Sequence, residues 1–416
     1  MKDNVSKPVV AVKPPLNKAE FIALMAALMA INALAIDIML PALPAMGEAL
    51  NVASSNKRQW VIGAYVLGFG ITQLVVGPLS DRFGRKVPLL AGVALYIVAA
   101  FSAIEATSFE TLLFMRFVQG VGASGTRVIT MSVIRDLYQG SAMAEITSLV
   151  FMVFMVVPIL APNIGQLILL KGSWFYIFGF MGALASVLLV WAILRLPETL
   201  HPEYRRPFSF SAVTQGFGVV FGNRVALFYG LTGMFVLGGL FGFITSAQQI
   251  YVDLYGLWAL FPVAISSTAA VMSFSSFVNS KIVSRFGMRA VTSVALFAYV
   301  FFAVVLLIAS GFGLPPLWLL FICITGIMCC FGWVGSNTNA LSMEPLGEVA
   351  GTASSVFGFM QTAGSALLGS FIGQSFDGTV RPLAMGYLIF GLLALGCMWI
   401  ASGGKLFGRD KYGSAP

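Results

Sequence analysis

Charge is what this sequence has least of. Only 10% of its 416 residues are Asp, Glu, Lys or Arg, whereas a soluble domain carries roughly 25%. With 58% hydrophobic residues, the chain cannot hide its apolar surface behind a polar shell in water. Histidine is scarcer still. His201 is the single one, and it falls in a polar stretch between apolar runs, which excludes imidazole acid–base chemistry inside those runs. The four cysteines, Cys323, Cys329, Cys330 and Cys397, lie within apolar runs with no Cys-x-x-Cys pair and no neighbouring His. That pattern excludes a zinc or dithiol site and reads as small apolar packing residues. No metal, catalytic residue or organic cofactor is expected.

What the sequence has in abundance is apolar length. A membrane-crossing helix needs about 20 mostly apolar residues. Twelve such runs are present, at roughly 21–46, 58–77, 87–105, 109–133, 144–170, 174–196, 222–250, 256–280, 290–312, 314–340, 349–373 and 380–404. Residues 1–19 contain Pro8, Pro14 and Pro15 and lack the apolar centre of a cleaved signal, so the first run is expected to direct insertion. The net charge of +8 follows topology. With both termini cytoplasmic, Lys57, Arg58, Lys171 and Arg381 fall outside, Arg116 and Arg127 fall within a run, and every other basic residue is inside. This is the positive-inside pattern, and it removes the need for a nucleic-acid partner.

One motif occurs twice. Gly77-Pro78-Leu79-Ser80-Asp81-Arg82-Phe83-Gly84-Arg85-Lys86 joins two apolar runs, and Ser284-Arg285-Phe286-Gly287-Met288-Arg289 repeats it 203 positions later, close to half of the chain. A repeat of that period implies two copies of one helical unit. The expected fold is therefore an all-α polytopic membrane protein of twelve transmembrane helices. Its divisions are a tail 1–19, a six-helix bundle 20–196, a linker 197–221, a second bundle 222–404 and a tail 405–416. Asp81, Arg82, Gly84 and Arg85 are expected to form a conformational latch. Asp81 would face the N-terminus of the eleventh helix, which favours a carboxylate. Gly84 would allow a sharp turn, and Arg85 and Lys86 would anchor the loop at anionic headgroups.

Charges inside apolar runs mark function by default. Asp37 interrupts the first run about 13 Å below its outer end, and Arg116 lies about 11 Å below the outer end of the fourth, so the two are expected to pair. Arg127 shares the helix face of Arg116 within about 20°, near the cytoplasmic end, and reads as a snorkelling residue. Pro158 and Pro162 predict a kink in the fifth run, with Gly165 opening a close contact. Asn32, Tyr65, Gln119, Asn337 and Gln361 are polar within spans and are the candidate substrate contacts; each could instead satisfy a kinked backbone, Asn337 above all.

Taken together, these residues resemble the major facilitator superfamily, and within it the drug:proton antiporters of the bicyclomycin/chloramphenicol-resistance (Bcr/CflA) group. The loop 77–86 carries the most specific likeness. Ala35-Ile36-Asp37 with Leu40-Pro41-Ala42-Leu43-Pro44, Arg116-Phe117-Val118-Gln119-Gly120, Ile134-Arg135-Asp136-Leu137-Tyr138 and Glu344-Pro345 with Ala350-Gly351-Thr352-Ala353-Ser354 add to it. Two helices depart from the pattern: the fifth reads Ala161-Pro162 and Gly165-Gln166 where further glycines are usual, and in the first Met29 stands where some multidrug relatives carry an acid. The resemblance implies Asp37 as the proton-responsive acid, Arg116 as its charge partner and protons as the coupling ion. It further implies a monomeric exporter of small amphiphilic drugs in the bacterial inner membrane, with the substrate and the lipid bilayer as its partners. Uptake of a nutrient or organic acid is the alternative within transport; a membrane-embedded enzyme or a receptor is a remote one. One acid balanced by one arginine favours neutral over permanently cationic substrates.

Overall fold

The computed structural model describes residues 16–52, 54–138, 140–205 and 210–407. Most of both expected tails, and linker positions 206–209, lie outside the described residues. The chain is helical throughout the described apolar segments. The helical stretches are α1 (Lys18–Ala49), α2 (Ser55–Phe83), α3 (Lys86–Ile104), α4 (Phe109–Leu137), α5 (Glu145–Lys171), α6 (Phe175–Arg195), α7 (Arg224–Leu254), α8 (Phe261–Phe286), α9 (Met288–Gly311), α10 (Leu317–Leu346), α11 (Ala353–Gln374) and α12 (Arg381–Ala401). Eleven helices among the described residues are long and apolar enough to cross a membrane. α4 has the length, at 29 residues, but carries Glu110, Arg116, Arg127, Arg135 and Asp136.

Local chemistry sets the helix ends. Asn17 accepts from the Glu20 amide (2.8 Å), Ser108 from Thr111 (3.1 Å) and Asn223 from Ala226 (3.0 Å), each side chain satisfying an orphan donor at an N-terminus. α1 breaks after Asp37 into a short 3₁₀ turn at Leu40–Ala42, where Pro41 has no amide to donate. The kink expected in α5 falls just before Pro158. One helix ends at Phe154 and the next, Val157–Lys171, opens with that proline, while Pro162 sits inside it. A proline in the first turn costs no hydrogen bond and restrains the residue before it. The linker is not wholly irregular: Phe210–Gly222 is helical, and its Val220 joins an apolar cluster with Ala226, Leu346, Ala353 and Phe357.

Packing runs chiefly within α1–α6 and within α7–α12, and crosses between these halves mainly along α2–α11 and α5–α8. α4 is wedged between α2 and α3 at backbone distance. A Cβ on Gly120 would collide with the Tyr65 carbonyl, and one on Gly122 would meet the Tyr96 amide at about 2.5 Å. Small residues let membrane helices approach this closely.

Polar bonds between the halves gather toward one end. The Asn56 side chain donates to the carbonyls of Gln374 and Phe376 (2.9 Å each), Gln374 returns a bond to the Asn56 carbonyl (2.6 Å), and Gln249 donates to Asn56 (2.6 Å). Asn163 donates to Ser266, which donates to the Ile159 carbonyl (2.6 Å each). Near mid-depth Gln73 reaches Thr362 (3.3 Å).

Candidate functional site

Arg116 is the most enclosed charge among the described residues. It is 0% exposed, and α4 holds it where α1, α2 and α6 converge. Its guanidinium donates to the carbonyls of Val61 (3.0 Å) and Ala35 (2.8 Å) and to Gln119 Oε1 (2.5 Å). The Tyr65 ring lies 4.5 Å from the guanidinium carbon and Phe178 5.9 Å, both in cation–π range. The Tyr65 hydroxyl in turn donates to Asn32 (3.0 Å). Tyr65, Gln119 and Arg116 thus form one buried cage, joined at its edge by the half-buried Asn32.

Asp37 is 9% exposed and forms no ion pair with Arg116. The depth match was sound, because Arg116 does reach α1, but it reaches the backbone of Ala35. Two residues along a helix turn the side chain by about 200°, so equal depth does not bring Asp37 to the guanidinium. Asp37 instead continues the face of α1 that carries Ala19, Ala23, Ala27 and Ala30, the first two exposed and the others half-buried.

The remaining candidates divide. Asn337 is buried and exchanges hydrogen bonds with Asn279 of α8 (3.2 and 3.3 Å), so its amide is already engaged. Gln361 is half-buried, beside Thr338 and Gly233, in a wider π-type turn at Met360–Gly364; such turns recur at functional sites. Gly165 faces Ile38 so closely that a Cβ would overlap the Ile38 carbonyl, which ties α5 to the break after Asp37.

The loop at Gly84 is an ion cluster. Arg85 is only 4% exposed, not an anchor in the headgroups. It donates to Asp81 (2.5 Å), Asp136 (2.8 Å) and Ser80 (2.8 Å). Burial works against its charge, but the carboxylates of Asp136 and Asp81 more than offset this and raise its pKa. Glu198, from the linker, accepts from the amides of Arg85 (2.8 Å) and Lys86 (3.1 Å). Gly84 turns the chain at φ +92°, and its missing Cβ leaves room for that carboxylate. Arg82 makes no ion pair among the described residues and lies over Phe83 (5.2 Å). Asp81 therefore points into its own half; the side chains of 347–352, where the expected partner begins, are outside the described residues. Sequence reasoning missed Glu198, Phe178, Asn279 and the Asn56 seam. Glu198 alone carried a signal, in Pro197-Glu198-Thr199 at the end of an apolar run.

The family model of the Major Facilitator Superfamily matches residues 25–369. The chain belongs to that superfamily of membrane transporters. It is 29% identical over 352 residues to the bicyclomycin resistance protein homolog of Haemophilus influenzae, covering 84% of this chain and 87% of that protein. To multidrug resistance protein D of Escherichia coli it is 26% identical, covering 90% and 93%. These relatives bear out the resemblance to the bicyclomycin/chloramphenicol-resistance group. In fold it is similar to the E. coli xylose transporter in a partially occluded inward-open conformation, with TM-score 0.71, 11% identity and coverage of 92% and 97%. An inward-facing, occupied bacterial homologue of the human lysosomal transporter Spinster gives TM-score 0.70 at 16% identity, covering 96% and 99%.

Proposed function

We propose that this transporter exports small amphiphilic drugs in exchange for protons, by alternating access, in the bacterial inner membrane. In this reading α4 is a twelfth span, and its charges face the interior. The twelve spans form two six-helix bundles, 20–196 and 222–404, joined by the linker 197–221, and both termini lie in the cytoplasm. The Asn56 seam then closes the periplasmic side, and the Arg85 end opens inward.

The observation that carries this reading is the separation of Asp37 from Arg116. Arg116 is held by two carbonyls, Gln119 and two rings, which leaves Asp37 free to take and release a proton without breaking an ion pair. Arg116 then acts on Asp37 through the backbone of α1. Uptake and release of that proton on opposite sides supplies the drive, about 2.3 kcal/mol per 100 mV for each charge moved. Asn32, Tyr65 and Gln119 support the cage, and Gln361 is the substrate contact offered by the other half; Asn337, already paired, holds α10 to α8. The Asp81–Arg85 cluster is the latch that sets the balance between inward and outward states.

The test is substrate-dependent proton movement in proteoliposomes, with chloramphenicol and bicyclomycin as substrates. Asp37→Asn should abolish proton coupling and leave the protein inserted and monodisperse. Full proton-coupled activity in that variant would overturn the assignment.

A further inference from the structure

Arg127 is a second cation within the helical layer, and the protein does not neutralise it. It stands eleven residues beyond Arg116 on α4, about 16 Å along the axis and within about 20° of the same direction. Arg116 reaches Ala35 of α1 and Val61 of α2, so Arg127 faces the same interior side and not lipid. A snorkelling arginine escapes along the lipid face to the headgroups. Arg127 has the wrong face for that, and lies about 13 Å from the Asp136 level of the ion cluster.

The side chain is exposed, yet it makes no ion pair or hydrogen bond among the described residues. The acids of its own half toward the Arg85 end are committed elsewhere. Glu20 is held by Arg195 (2.7 Å), Glu145 by Lys18 (2.7 Å), and Asp81 and Asp136 by Arg85 (2.5 and 2.8 Å). Asp37 lies at the far end of the α1 face. An exposed cation on the interior face of α4, with the acids of its own half already paired, is placed to meet an anion from outside the protein.

We infer that Arg127 recognises the negative charge of the substrate, and that the preferred substrates are amphiphilic organic anions carrying a carboxylate or a similarly compact oxyanion on an apolar body. Arginine suits this role because its planar fork matches a carboxylate with two parallel hydrogen bonds. The inference rests on the transport reading above and sharpens its substrate class from neutral to anionic. It also fits the energetics of export, since an anion leaving a negative-inside cell moves down the membrane potential.

The test compares two ligands of nearly equal size, chloramphenicol succinate and its methyl ester, which differ by one negative charge. Equilibrium binding to the purified full-length protein is followed by tryptophan fluorescence. The acid should bind at least tenfold tighter than the ester. Arg127→Gln should remove that preference while leaving ester affinity within threefold, and Arg127→Lys should retain most of it, because the charge remains. Equal binding of acid and ester, binding of neither, or a tenfold preference that survives in Arg127→Gln overturns the inference. Proton movement with chloramphenicol is measured separately, so a failure of transport is told apart from a failure of charge recognition.

Discussion

Gly84 and Gly287 sit at matching places in the two halves and turn the chain in the same way, at φ +92° and +82°. The preceding arginines match as well: Arg82 lies 5.2 Å from the Phe83 ring centre and Arg285 5.4 Å from that of Phe286. The chemistry around them does not match. Ser284 stands where Asp81 does, Met288 where Arg85 does, and Asn339 lies 203 positions beyond Asp136. The first loop is therefore knitted by Arg85, Asp81, Asp136 and Glu198, whereas the second shares its turn but not these residues. The backbone repeats because both halves need a tight exit from a long helix. The charged residues Asp81, Arg85 and Asp136 have no counterpart of the same charge at the equivalent positions of the second half.

The harshest way to erase this difference is Arg85→Met, which installs the residue of the second loop in the first. It leaves Asp81 and Asp136 without their cation; because these carboxylates are 43% and 15% exposed, the cost should fall below the ~3–5 kcal/mol of a fully buried pair. Thermal unfolding in detergent should show a large drop in the midpoint; a shift equivalent to under about 1 kcal/mol would mean that the cluster adds little. Next come the glycines. Both occupy a region of backbone space that is nearly glycine-only, where another residue costs about 1–3 kcal/mol. Gly84→Ala should be worse than Gly287→Ala, because its new Cβ also displaces the Glu198 carboxylate; equal losses would deny Glu198 a part in the loop.

Asp81→Asn removes a charge that is 43% exposed. Its effect on stability should stay within about 1 kcal/mol, but the balance of inward and outward states should shift, as read by cysteine accessibility from each side. An unchanged balance would reduce the latch to a brace. The mildest change runs the other way. Met288→Arg adds the missing cation to the second loop, where Ser284 and Asn339 offer no carboxylate. Stability should move by no more than about 0.5 kcal/mol.

Much of this architecture is legible in the sequence because the bilayer enforces simple rules. Apolar length marks the helices, and internal prolines locate the breaks in α1 and α5 to within a few residues. The repeat at Arg82 and Arg285 predicts the paired turns. Contacts that depend on azimuth or on distant partners are not legible. Asp37 and Arg116 have matching depths, but which group the guanidinium grasps depends on rotation about α1, and a carbonyl of Ala35 leaves no trace in residue type. Glu198 lies 113 positions from the Arg85 amide it accepts from, with no periodicity to link them. Asn337 is polar inside a span whether it meets substrate or, as here, a second asparagine.

The glycines of α4 have a mechanical consequence. Where helices meet through side chains, rotamers can slip and absorb a displacement. Gly120 and Gly122 bring α4 against the main chains of α2 and α3, where there is no rotamer to slip. α4 is thus clamped like a stiff rod, with Arg116 near one end and Arg127 about 16 Å further along. A displacement imposed at one guanidinium is therefore carried to the other along the rod itself, with no chain of relaying side chains between them.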